Sequence, residues 1–417
     1  MKSVDDEEWE LMVSDAELFS IGKRIKWLRE RRGISQRALG ELIGRSENWV
    51  FKVEHDRMPV NRISVLVTLC QVLRCQMEDL TGGYISAVGT GIAEHSFVPD
   101  IRKALSLPTS LLPLRLDTIE AEDFAASVAD AWTVYETQAE RRYQDVGSRL
   151  PILLRQGHAV LRDVSTENEL KVLPQLISLY GLHQIWLRRV GEPTLARIAA
   201  DRGLALADRA DDPALLAAAA WNLACVLTSA GDVGDSLELV RQTIAMCRPD
   251  DDSSVEHWSA YGALHLQGAI AATRATKGPV AWDMYRGAQF AADRVGSDFN
   301  HWHTSFGPTN VAMHEVHIKA EEGDVSEALR AADTVHVSPH LPLERRTRYL
   351  IEVMNLNRIQ RDDYGTVHIL SKLITQSPEE MIFSPLVREA VADLLKREKA
   401  VWRDDLRKVA QHIGLAA

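Results

Sequence analysis

A short polar turn recurs along most of this 417-residue chain. Gly191-Glu192, Gly231-Asp232, Gly278, Gly323-Asp324 and Asp362-Asp363 follow one another roughly every 39–47 residues. Each opens a helical pattern: Ala196 and Ala200 after the first, Trp282 and Phe290 after the third, Ala328 and Ala332 after the fourth, Val367 and Leu370 after the fifth. Strand-like alternation is almost absent from Arg115 onward. A repeat of this length describes a helix pair that cannot bury its apolar face alone and must stack on its neighbours. The expected class is therefore all-α, with residues 115–417 forming a right-handed α-solenoid that has a concave face. The helix pair around Trp132–Arg162 would begin the array and Pro385–Leu415 would cap it. A generic helical bundle is the competing architecture.

The clearest unit runs from Ala217 to Pro249 and reads as helix, Gly231-Asp232 turn, helix, proline stop. Trp221, Leu223, Ala224, Leu227, Ser236, Val240, Thr243 and Pro249 fall where a tetratricopeptide (TPR) repeat puts its packing residues, so the body is TPR-like. Its repeat is longer than the strict period of about 34 residues, so the units are stretched.

The N-terminal part differs in charge and in pattern. The chain carries a net charge of −11, which argues against a nucleic-acid partner for the whole, yet residues 20–82 hold 12 Lys/Arg against 7 Asp/Glu. A basic module is joined to an acidic body. Four domains are expected: an acidic tail (1–19), the basic module (20–82), a Gly/Pro-rich linker (83–114) interrupted by a short helix near Ile101–Leu105, and the TPR-like body (115–417). Within the module, Ile21–Gly33 and Ile34–Gly44 read as amphipathic helices, with Ile25, Leu28, Leu39 and Leu42 inward and Ser35 as a cap. Gly40 suits a close helix approach and Gly44 a tight turn. Next comes the short helix Ser46–Glu54, held by Val50 and Val53, and then Arg62–Leu73. This is a helix-turn-helix within a five-helix domain. Such a fold presents the N-terminus of its second helix to the major groove, so Ser46, Glu47, Asn48, Trp49 and Lys52 are the candidate reading face. Asparagine pairs bidentately with adenine and glutamate accepts from cytosine. Trp49 either packs on sugar or a thymine methyl, or covers a neighbouring helix. Gln36, Arg37 and Arg45 are placed for phosphates.

The stretch SQRALGELIGRSENWVFKVEHDRMPVNRISVLVTLCQVL resembles the lambda-repressor-like, xenobiotic-response-element (XRE) family of bacterial DNA-binding domains. The resemblance implies that Arg29 and Glu54 are a structural pair. One departure is Glu54-His55-Asp56 where the family has Glu-Arg-Gly, since Asp accepts a left-handed turn less readily than Gly. Together with FGPTNVAMH, LPLERRTRYL, SPLVREAVADLL and LRKVAQHIGL, the chain is similar to actinobacterial regulators that join an XRE domain to a long helical sensor. The likeness in architecture to peptide-responsive quorum-sensing regulators is an analogy of fold.

In a solenoid the first helix of each pair lines the concave face. That places Trp221, Asn222, His265, Asn310, His314 and His317 there as candidate effector-binding residues, with Trp302 and His303 from the dense cluster Asn300–Asn310. Asparagine amides both donate and accept, as gripping a peptide backbone requires. Alternatively, Trp221 is core and Asn310 a helix cap. The 300–310 cluster has three readings: an effector pocket, a structural loop, or a metal site from His301, His303, His314 and His317. No metal or cofactor is expected, because His-x-His alone is a weak ligand pattern and His314-Glu315-x-His317 has the wrong spacing for H-E-x-x-H. Phosphate-cradling loops and nucleophile elbows are missing, so no enzyme is expected. Cys70, Cys75, Cys225 and Cys247 lack C-x-x-C spacing and read as reduced core thiols. The acidic start argues against a secretory signal, and no run of 18 apolar residues is expected to span a membrane. The resulting expectation is a cytoplasmic, sequence-specific transcription regulator. It would bind operator DNA as a homodimer and respond to a peptide or small-molecule effector. The alternative is an interaction scaffold whose TPR-like body binds a partner protein and for which DNA is secondary.

Overall fold

The computed structural model describes residues 20–58, 60, 63–73, 75, 80, 95–106, 119–163, 166–339, 341–397 and 399–415. The acidic tail and most of the expected linker lie outside them. Every regular element among the described residues is helical. The chain divides into two compact units, 1–93 and 94–417.

In the first unit, four helices are described: α1 (Ile21–Arg31), α2 (Gln36–Leu42), α3 (Glu47–Glu54) and α4 (Ile63–Leu73). Ser20, Ser35 and Ser46 cap the first three, each accepting from the backbone N–H three residues on. A side-chain oxygen at that position satisfies a donor the helix start leaves open. Ile25, Leu39, Val50, Val53, Leu66, Leu69, Leu73 and Leu80 form the core. Gly40 is needed because a Cβ there would lie 2.7 Å from the Arg45 carbonyl oxygen, and Gly44 adopts φ +66° in the turn. Leu42 departs from expectation: it is 59% exposed, and Ile43 packs on the core in its place. The helix ends at Leu42, so the next residue leaves the helical path and points inward.

The second unit begins with α5 (Val98–Ser106), inside the stretch read as linker. Its Val98, Ile101, Ala104 and Leu105 join the core of the helical body. Then follow α6 (Ala121–Thr137), α7 (Arg142–Asp163), α8 (Thr166–Arg189), α9 (Pro193–Arg209), α10 (Pro213–Ala230), α11 (Val233–Met246), α12 (Val255–Arg274), α13 (Gly278–Val295), α14 (Pro308–Glu322), α15 (Val325–Thr334), α16 (Leu343–Gln360) and α17 (Asp363–Gln376). Three shorter helices end the unit: α18 (Pro378–Phe383), α19 (Pro385–Leu395) and α20 (Arg403–His412).

Successive helices pack on one another, and the first helix of each pair also stacks on the first helix of the next, from α6 through α8, α10, α12 and α14 to α16. Ala224 and Ser236 let α10 and α11 approach closely, and the Ser236 hydroxyl donates to the Ala224 carbonyl at 3.0 Å. Gly231 at φ +91° closes the α10 turn. The inner row then returns on itself. Helix α16 packs against α6, Arg189 of α8 pairs with Glu344 of α16 at 2.6 Å, and buried Arg142 of α7 reaches Ser377 and Glu380.

By length and composition, Pro213–Ala230 (α10) is apolar enough to cross a membrane, with a mean hydropathy of 1.5. Most of it is buried inside the helical body, as expected of a core helix whose apolar surface is covered by α8, α9, α11 and α12. None of the four cysteines forms a disulfide; Cys225 and Cys247 are buried, whereas Cys70 and Cys75 are half-buried at the module core.

Candidate nucleic-acid interface and inner-face cluster

The short helix α3 is fixed from below. The Arg29 Nε and Nη2 donate to the two Glu54 oxygens at 2.6 and 3.0 Å, and Glu54 is 2% exposed. Arg29 Nη1 also donates to the Ile34 carbonyl at 2.7 Å, tying α1 to the start of α2. A planar guanidinium on a carboxylate gives fixed geometry as well as energy. Asp56 does adopt a left-handed backbone, φ +56°, and its carboxylate accepts from the Ser20 hydroxyl at 2.7 Å.

On this frame Glu47 and Asn48 are exposed at the start of α3, Ser46 is occupied as the cap, and Lys52 is half-buried one turn later. Trp49 packs against the module core with the Arg45 guanidinium 5.5 Å above its ring, so it covers a neighbouring element. Arg37 is exposed and paired with Glu41 at 3.0 Å. Gln36 is a correction. Placed at a phosphate by the sequence reading, its amide instead donates to Glu54 Oε2 at 2.7 Å and completes the buried network, because the start of α2 lies beside the end of α3.

Residues 20–81 match the family model described as a helix-turn-helix domain. These residues are a helix-turn-helix domain. No curated protein matches the chain significantly. Among solved structures, Bacillus thuringiensis PlcR in complex with the peptide PapR7 and DNA aligns at 15% identity and a TM-score of 0.29, over 66% of this chain and 95% of that one. A monomeric mutant of IFIT1 with Gppp-AAAA aligns at 13% identity and a TM-score of 0.34, over 95% and 90%. These scores carry no argument about function.

In the body the candidate effector residues part company. Trp221 is half-buried between two core clusters. The Asn222 amide is already engaged: its Oδ1 accepts from Gln184 at 2.7 Å and its Nδ2 donates to the Ala218 carbonyl at 3.2 Å. His265 is enclosed against Tyr261 and Gly287, and burial lowers its pKa to about 4. Trp302 and His303 adopt left-handed backbones in a short 3-10 turn. His303 stacks on Trp132 at 3.6 Å and bonds Glu136 at 2.7 Å, while Trp302 Nε1 donates to the Glu256 carbonyl. This loop docks on α6 and is a clamp within the fold. Phe306, fully buried, anchors it against Gly262.

Asn310, His314 and His317 share α14 with different surroundings. Asn310 is the third helical residue and no cap; its Oδ1 accepts from Arg345 Nε at 2.7 Å. Burial lowers the His314 pKa to about 3. His317 faces Glu352 at 3.2 Å and Glu321 at 3.6 Å. Among the described residues no group of three or more His, Cys, Asp or Glu is placed to hold a metal ion.

His317 borders a charged network on the inner row, built around Glu344 and Glu352. Burial alone would raise the Glu344 carboxyl, but Arg189 and Arg348 hold it at about 2. The same balance, set by His317, Arg345 and Arg348, holds Glu352 at about 2. The available signal was the pair Arg188-Arg189 and the run Glu344-Arg345-Arg346, charged residues on helices whose neighbours are apolar. A surface groove of about 600 Å³ between α6 and α7, lined by Asp123, Ser127, Asp130, Arg149 and Ile152, lies apart from this network. Its Arg149 and Asp130 are paired with each other.

Proposed function

We propose that the chain is a sequence-specific DNA-binding transcription regulator whose helical body receives an effector. The observation that carries this reading is the pairing of an exposed Glu47-Asn48 edge with a buried Arg29–Glu54–Gln36 network that holds α3 rigidly beneath it. A recognition helix needs this arrangement: free polar side chains at its N-terminus and a backbone that does not yield. The basic balance of residues 20–82 supplies the phosphate attraction.

The protein works as a homodimer in this reading, because one such helix reads too few bases for genomic specificity. It is a cytoplasmic, non-catalytic protein, and the effector is a peptide or small molecule held by the inner row of the body. The effector must bind two states of the protein unequally to alter DNA affinity.

Footprinting of the full-length protein on selected genomic fragments tests the reading. Two protected half-sites about 10 base pairs apart, or a multiple of one helical turn, are expected. A single half-site, or protection without preferred fragments, would leave the scaffold alternative in its place.

A further inference from the structure

The inner row brings more positive than negative charge together. Around the carboxylates Glu344 and Glu352 stand Arg188 and Arg189 of α8, Arg345 and Arg348 of α16, and His317 of α14. Arg189 is spent on Glu344 and His317 on Glu352, while Arg345 donates to Asn310. Among the described residues Arg345, Arg188 and Arg348 have no carboxylate in ion-pair contact, and only Arg345 has a charge-oriented amide oxygen as its acceptor. The partners of Arg188 are neutral, the Ser229 hydroxyl at 3.2 Å and the Cys225 thiol, and its Nε is buried with no acceptor. Arg348 makes no hydrogen bond or ion pair among the described residues and is only half-buried.

The two cations also act on each other. Burial, then Arg189, then Arg348 press the Arg188 pKa down to about 10, and burial and Arg189 lower that of Arg348. An unpaired guanidinium held beside like charge and partly shielded from water is costly to a fold. Apolar side chains of similar size would serve packing better. Glu344, Glu380 and Glu352 attract Arg348, and Glu344 attracts Arg188, without offsetting burial and the neighbouring cations in full, and strain left over in this way is expected where a ligand compensates it. Guanidiniums match the planar or tetrahedral oxygens of carboxylates and phosphates bidentately.

We propose that the inner face of the helical body carries an anion site between Arg188 and Arg348, which takes a carboxylate or phosphate group of the effector. The site rests on the effector-sensing reading above and gives that effector a chemical class. It lies on α8 and α16, the helices already joined by Arg189 and Glu344, so an anion there bridges the two ends of the inner row.

The test uses full-length protein and the variants Arg188→Gln, Arg348→Gln and, as control, exposed Arg330→Gln of α15. Thermal unfolding of the body is followed in chloride, inorganic phosphate and acetate at constant ionic strength, with calorimetric titration of the same anions. Wild type and Arg330→Gln are expected to gain stability saturably in phosphate or in acetate, and which of the two acts identifies the group. Arg348→Gln and Arg188→Gln should weaken that binding roughly tenfold to hundredfold. In chloride the midpoint of Arg348→Gln serves as that variant's own baseline, because the substitution removes both the repulsion from Arg189 and the attraction to Glu344 and Glu352. The proposal is overturned if neither anion stabilises beyond chloride, or if the two variants respond to the anions as wild type does. Operator affinity in the same samples separates the two readings: an anion bound without any change in DNA affinity sinks effector control and leaves the site standing.

Discussion

Replacing Gln36 by Ala separates a structural role from a DNA contact. Glu54 Oε2 accepts two donors, Gln36 Nε2 at 2.7 Å and Arg29 Nη2 at 3.0 Å, while Oε1 is served by Arg29 Nε. Removing the Gln36 amide leaves the buried carboxylate with the guanidinium alone. A hydrogen bond to an ionised group contributes about 1.5–3 kcal/mol. Gln36 is half-buried, so water replaces part of it and the lower end applies. About 1.5 kcal/mol corresponds to roughly tenfold in the local opening equilibrium. Hydrogen exchange on the full-length protein, followed by mass spectrometry, reads this at the α3 amides of Glu47–Glu54. Gln36→Ala should speed their exchange about tenfold, whereas Arg37→Ala, which breaks an exposed ion pair with Glu41, should change it less than about threefold. If Gln36→Ala left exchange unaltered while DNA affinity fell, Gln36 would be a DNA contact and the network reading would be wrong.

Three further outcomes are expected. Asn48→Ala should relax preference at one base step, whereas Lys52→Ala should weaken all duplexes alike and lower the salt slope by about one; equal effects in a gel-shift series would misplace the reading face. At Gly262 an added Cβ would fall 2.0 Å from the Phe306 ring, so Gly262→Ala should destabilise the body by about 1–3 kcal/mol, seen as a lower urea midpoint; an unchanged midpoint would mean the Phe306 anchor yields freely. Burial holds His158, His183 and His265 at about 4 and His314 at about 3, below about 6.5 for free imidazole. The unfolded chain therefore binds more protons in that interval, so stability is full above about pH 6.5 and is lost as pH falls toward 4. A thermal midpoint that stays flat from about pH 7 to pH 5 would contradict this burial.

What the sequence disclosed follows the range of the interactions involved. The Ser35 cap, the Gly40 approach, the Gly44 turn and the close Ala224–Ser236 packing are local chemistry, and they stand where the pattern put them. The helix pairs follow from the recurring Gly-Asp turns. Leu42 misled because the helix ends there, one residue before the chain turns inward. The short helix expected near Ile101–Leu105 is present as α5, but its place in the body's core was not legible, since Val98 and Ile101 find their apolar partners only in the fold. The candidate effector residues were chosen by type, and type does not reveal prior engagement: Gln184 had claimed Asn222, and Glu136 and Trp132 had claimed His303. The inner arginines were missed for the converse reason. Arg189 meets Glu344 across 155 residues, and only closure of the inner row shows which charges remain uncompensated.

The central claim is that a rigid basic module reads DNA sequence through the N-terminus of α3. Its most direct test is a salt titration of the full-length protein on a duplex selected from genomic fragments, against a scrambled duplex of the same composition. The account predicts that affinity for both falls steeply with salt while the ratio between them persists at each concentration. A ratio near one at every salt concentration, with the module folded by hydrogen exchange, would contradict it.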